Sequence, residues 1–202
     1  MATRRTFLTG ILTLPAFAPA VLHAQEAPPA QLSLTPSCGE PELTIRQTEG
    51  PFFTPNSPLK RDFKADVSSG TPITIAGYVL TEDCKPVEGV QIELWHADND
   101  GEYDNDGFKL RGHQFTDAEG RWWFETIVPG LYTGRTRHFH IKVQRPNGPV
   151  LTTQLYFPGE PGNDDDRIYD ASLLLDIKQA SDGGYGRYDF VIASRHSRFL
   201  FS

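Results

Sequence analysis

From Thr71 onward, short apolar runs alternate with polar positions and are cut by turns. The runs TPITIAGYVL, VQIELWHAD, RWWFETIV, RHFHIKVQR, VLTTQLYF and RYDFVIAS are rich in β-branched and aromatic residues. Such residues favour a pleated, half-buried surface. Gly-, Pro- and Asp-rich stretches between them read as turns. Only DASLLLDIKQA carries a pattern fit for a helical turn or two. The pattern predicts an all-β fold, an antiparallel β-sandwich with long loops and little helix, over residues 71–202. Residues 25–70 hold many Pro and polar positions without a helical period and read as an extended N-terminal arm.

The first 24 residues differ in kind. Arg4 and Arg5 precede Phe7, Leu8 and an apolar stretch broken by Pro15 and Pro19. That stretch is too short and interrupted for a membrane span. It reads as a twin-arginine signal peptide, cut after Ala20 or Ala24, with export to the periplasm or the exterior. No membrane association is expected after cleavage. The chain carries a net charge of −7, and losing Arg4 and Arg5 makes it more acidic. An acidic chain lacks the footprint for nucleic acid and does not attract anionic lipid. Two cysteines, Cys38 and Cys84, lie beyond the leader. An even count in an exported protein predicts one disulfide between them.

The run from Tyr132 to Val143 carries the chemistry. Side chains alternate faces along a strand, so His138, His140, Lys142 and Gln144 share one face and Phe139, Ile141 and Val143 the other. The second set is apolar and belongs to a core. The two imidazoles therefore project side by side, an arrangement that offers two nitrogen ligands to one metal. Alone, such a pair serves structure as readily as metal binding. Tyr132 adds a phenol, whose ordinary pKa near 10 calls for a hard, highly charged cation to hold it as phenolate at neutral pH. Iron(III) meets that need, whereas zinc and copper sites are more often built from His, Cys and carboxylates.

The segments QTEGPFF, ELWHADNDGEYD, RGHQFTDAEGRWWFETIVPGLYTGRTRHFHIKV and TTQLYFPGEPGNDDD, with Tyr-x2-Arg-x2-His-x-His at their centre, resemble the intradiol ring-cleavage dioxygenases. The resemblance runs from about Gln47 to Phe157. It implies one non-haem iron(III) per chain, held by Tyr103, Tyr132, His138 and His140, with Tyr132 and His138 as the axial pair. It implies Arg135 as the group that stabilises negative charge on the substrate ring, positioned by Gln154. Substrates would be a catechol-type small molecule and dioxygen. The ring would open between its hydroxyl-bearing carbons to give a muconate-type diacid. A homo-oligomer stays open, as does the alternative of an exported metal carrier, for copper or another ion, without turnover.

Other residues read more plainly. His96 and His113 fit hydrogen-bonding structural roles. GNDDDRIYD reads as a solvated acidic turn, since it lacks a full calcium loop. Trp122 and Trp123 alternate faces, one in the core and one toward a cleft. Pro51 and Phe52 stand in a segment that could border the site. The export reading has a direct check. Arg4→Lys with Arg5→Lys leaves the apolar segment intact, so the doubly substituted protein should stay in the cytoplasm when fractions are compared by immunoblot. Undiminished export would remove the twin-arginine reading.

Overall fold

The computed structural model describes Leu32, residues 42–180 and residues 183–194. The signal segment, with Arg4 and Arg5, and Cys38 lie outside the described residues. Among the described residues there are nine strands and two 3-10 turns, at Lys64–Asp66 and Ala171–Leu173. No helix there is long and apolar enough to cross a membrane. The strands are β1 (Pro72–Thr81), β2 (Gln91–Trp95), β3 (Arg111–Phe115), β4 (Arg121–Ile127), β5 (His138–Gln144), β6 (Val150–Tyr156), β7 (Asp176–Ala180), β8 (Gly183–Arg187) and β9 (Phe190–Ile192). One sheet has the order β3-β2-β5-β6, antiparallel throughout. The other runs β4-β1-β8-β7, with β9 also paired to β1.

Alternation builds the sandwich. Ile73, Ile75 and Val79 of β1, with Trp122 and Phe124 of β4, point inward. They meet Ile92 and Leu94 of β2, Phe139, Ile141 and Val143 of β5, and Leu155 of β6. Each such side chain, fully buried, contributes roughly 1.5–3 kcal/mol of transfer free energy. Phe63, from the segment read as an arm, is also fully buried in this core. A second cluster covers the outer face of β1, where Ala76, Tyr78 and Leu80 pack with Trp123, Tyr185 and Leu32.

Several expectations change in detail. Trp122 is core as expected, but Trp123 is buried in the outer cluster beneath the Arg61 guanidinium, 4.3 Å from its ring centroid, rather than lining a cleft. DASLLLDIKQA gives only the 3-10 turn Ala171–Leu173 and then enters β7. RYDFVIAS is broken at Tyr188 and Asp189. The Asp189 carboxylate accepts the backbone N–H of Tyr78, and Tyr188 N–H goes to the Ala76 carbonyl, so the ladder on β1 is handed from β8 to β9. Strands β3 and β8, RGHQF and GGYGR, have little strand propensity and form by pairing with β2 and with β1 and β7.

Candidate metal centre

The face of the β3-β2-β5-β6 sheet that looks away from the core is polar. Directly opposed residues share a face, and the register aligns Arg111, Trp95, His140 and Gln154 in one row across all four strands. The next row holds His113, Glu93, Lys142 and Thr152, while His138 faces Tyr156 at the other side. Trp95 stacks flat on the His140 ring at 4.9 Å. Both histidines of β5 are buried, and Phe139, Ile141 and Val143 fill the core as their parity requires.

The N-terminal segment crosses this polar face as a strap. Gln47 N–H donates to the Thr152 carbonyl, Gln154 Nε2 to the Thr48 carbonyl, and Lys142 pairs with Glu49 at 2.6 Å. Gly50, at φ +68°, lies over His140, and a Cβ there would meet the ring Cε1 at 3.3 Å. Phe52 then stacks on Tyr103 at 4.5 Å and meets Tyr132 edge-on at 5.2 Å. Phe52 thus borders the site from the same chain. Ser57 ends the strap with a hydrogen bond to Glu93.

Two loops bring the tyrosines together. Gly130 N–H donates to the Asp98 carbonyl at 2.7 Å. A Cβ on Gly130 would stand 2.4 Å from Gly101 N, so the two backbones touch only because both residues are glycine. The Tyr103 and Tyr132 rings end 5.8 Å apart. Tyr103 Oη lies 3.4 Å from His138 Nε2, and His138 Nε2 lies 3.1 Å from His140 Nε2. The structure therefore gathers Tyr103, His138 and His140 closely and sets Tyr132 beside Tyr103 at the exposed rim.

The donor set suits a cation. His138 Nδ1 faces the Thr136 carbonyl at 2.7 Å, so it carries the proton and Nε2 presents a bare lone pair. Burial, with the charge of Arg135 adding, holds the His138 imidazolium at about 4. Burial first, and then the charge of His138, holds His140 well below its ordinary value. Neutral imidazoles are the ligating form. The two Nε2 atoms stand 3.1 Å apart, close enough for both to serve one ion. Burial raises the Tyr103 phenol, with Arg135 and Arg111 opposing, so an adjacent cation is what would ionise it. Among the described residues no group of three or more His, Cys, Asp or Glu side chains is placed to hold a metal.

Around this cluster lies a polar network. Arg135 donates through Nη2 to Gln154 Oε1 at 2.7 Å and through Nε to Asp166 Oδ2 at 2.8 Å. Tyr156 Oη reaches Gln47 Oε1 at 2.7 Å. The expectation for GNDDDRIYD is corrected here. Asp164 and Asp165 are exposed as expected, but Asp166 and Asn163 are buried and bound to Arg135 and Thr136, so the run is docked at these two residues. Burial works to raise the Asp166 carboxyl, but hydrogen bonds from Arg135, Thr136 and Ile168 outweigh it and hold it low. Arg111 is a second group without a sequence signal. It is buried, donates to the carbonyls of Asp104 and Phe52, and leaves Nη2 without a partner among the described residues. His96 is structural as expected, bridging Ala97 and Thr126, and His113 binds the Ser57 carbonyl.

A family model described as Dioxygenase matches residues 48–194. The chain belongs to this family, that of the intradiol ring-cleavage dioxygenases. It is 50% identical to the solved dioxygenase domain of a dioxygenase and carbohydrate-binding protein fusion from Streptomyces sp. SirexAA-E, with a TM-score of 0.74 over 75% of this chain and 99% of that one. It is 29% identical to catechol 1,2-dioxygenase 2 of Acinetobacter lwoffii over 75% of this chain and 66% of that protein. The structure of 3-chlorocatechol 1,2-dioxygenase from Rhodococcus opacus 1CP aligns with a TM-score of 0.67 at 27% identity, covering 75% of this chain and 73% of that one. The matches span about half to two thirds of the length of the first curated relatives, between 49% and 66%.

The strap contact yields a test of the geometry alone. Gly50→Ala forces a side chain into left-handed backbone, which costs about 1–2 kcal/mol, and presses it on His140. The urea unfolding midpoint should fall accordingly. An unchanged midpoint would show that the strap is not seated on β5.

Proposed function

We propose that the protein is an exported, non-haem iron(III) dioxygenase that cleaves a catechol-type ring between its two hydroxyl-bearing carbons, giving a muconate-type diacid. The observation that carries this reading is the junction of Tyr103, His138 and His140, with Tyr132 beside it, on the polar face of β5. Tyr103, Tyr132, His138 and His140 would hold the iron. When bound, it supplies a Lewis acid for the two catechol oxygens and the redox chemistry for dioxygen.

The chain's own residues do the rest. Tyr103, stacked on Phe52, would be the more firmly held ligand, while Tyr132 would bind from the exposed rim. Its phenolate oxygen is suited to take a proton from the incoming diol. Phe52 covers the Tyr103 ring and Trp95 backs the His140 ring, both with apolar surface. Arg135, held by Gln154, sets a permanent positive charge where negative charge develops on the ring carbon. Export by the twin-arginine route would deliver the folded, loaded protein to the periplasm or the exterior. A Cys38–Cys84 disulfide would form there.

The test is an oxygen-uptake screen of the iron-loaded protein against catechol, protocatechuate and hydroxyquinol. Uptake with a ring-opened diacid is expected for at least one of them. A colourless protein that binds copper or zinc in stoichiometric amount and turns over none would favour the carrier alternative. Arg135→Leu should retain iron, colour and a catechol-induced spectral change while losing about 10²–10³ in turnover. Wild-type turnover in that variant would overturn the role given to Arg135.

A further inference from the structure

The loop after β6 grips three successive residues on the approach to β5. Arg135 Nε donates to Asp166 Oδ2 at 2.8 Å, and Thr136 N–H donates to the same oxygen at 3.0 Å. Thr136 Oγ1 donates to Asn163 Oδ1 at 2.7 Å, and Arg137 Nε to Glu160 Oε1 at 2.7 Å. The Asp166 side chain is 2% exposed, so this is a buried carboxylate rather than a surface partner. Its other oxygen, Oδ1, accepts the Ile168 N–H at 3.1 Å and closes the local turn. The turn thus uses one oxygen, and the second is committed to Arg135 and Thr136.

The consequence concerns the guanidinium. A long arginine side chain near an open site samples many rotamers, and a charge that must be aimed is weakened by that freedom. Gln154 holds only one edge of Arg135, through Nη2. Asp166 holds Nε, so the two contacts fix both the position and the plane of the fork. The same carboxylate ties down the backbone two residues before His138. We propose that Asp166 is a positioning residue for ring cleavage: it fixes the Arg135 guanidinium in one orientation against Gln154, so that the charge is in place before substrate arrives. This rests on the functional reading above and adds a residue to it.

The experiment is a double-mutant cycle on the iron-loaded full chain with catechol, or whichever diol the wild type cleaves, measuring kcat and KM. Asp166→Ala should lower kcat by about 10–10²-fold with KM little changed, as for a displaced catalytic group. In an Arg135→Leu background the same substitution should cost almost nothing more, because residues acting through one another are non-additive. Asp166→Asn, which keeps one acceptor oxygen, should recover part of the loss, and it replaces Asp166→Ala in the cycle if that variant does not fold. An equal loss in both backgrounds, or wild-type kcat in Asp166→Ala, would overturn the proposal.

A readout free of iron and turnover accompanies the cycle. In ¹⁵N NMR of the metal-free protein the Arg135 Nε–H signal, identified by its absence in Arg135→Leu, should be slow to exchange. It should exchange rapidly in the Asp166 variant. Equal protection in both would count against the proposal. If the wild type cleaves no diol, the functional reading falls, and the NMR result alone decides whether Asp166 fixes Arg135.

Discussion

Strand β5 is committed on both of its faces, and most of the molecule follows from that. Phe139, Ile141 and Val143 are sealed in the core between the two sheets. A slip of one residue would send them to the polar face and drive His138 and His140 into the core. The cost of that exchange fixes the register, and the register fixes where both imidazoles point. No flexible loop sets the distance between the two Nε2 atoms. It is set by the period of a strand whose other face is buried.

Everything around β5 can then be more adaptable. The tyrosines arrive on loops that touch at Gly101 and Gly130, and the strap from Gln47 to Ser57 closes over the row formed by Arg111, Trp95, His140 and Gln154. In the proposed metal site, nitrogen donors fixed on a strand would stay constant while oxygen donors on loops would yield to a substrate. Of the two loop tyrosines, Tyr132 is the more exposed.

Much of this is legible in the sequence alone. The parity of β5 needs only alternation, because a buried face leaves no choice of register. Tyr103 entered only through the resemblance of DNDGEYD to a family motif, since a loop tyrosine has no periodic signature. Asp166 was not legible. A run of three aspartates reads as solvent-facing, and its burial depends on Arg135 arriving from another loop. Arg111 was missed because its place in the row depends on the β2–β3 pairing, and RGHQF reads poorly as a strand. The glycines of β8 carry no strand signal either, and their strand exists through its neighbours.

In the proposed site Tyr103 and Tyr132 join His138 and His140 around one iron(III). Resonance Raman spectroscopy of the iron-loaded protein, excited in its visible charge-transfer band, tests it most directly. Enhanced tyrosinate ring modes should appear for two inequivalent phenolates. Tyr103→Phe should remove one set and Tyr132→Phe the other, with the remaining set retained in each. A spectrum without tyrosinate modes, or one unchanged by both substitutions, would contradict the account.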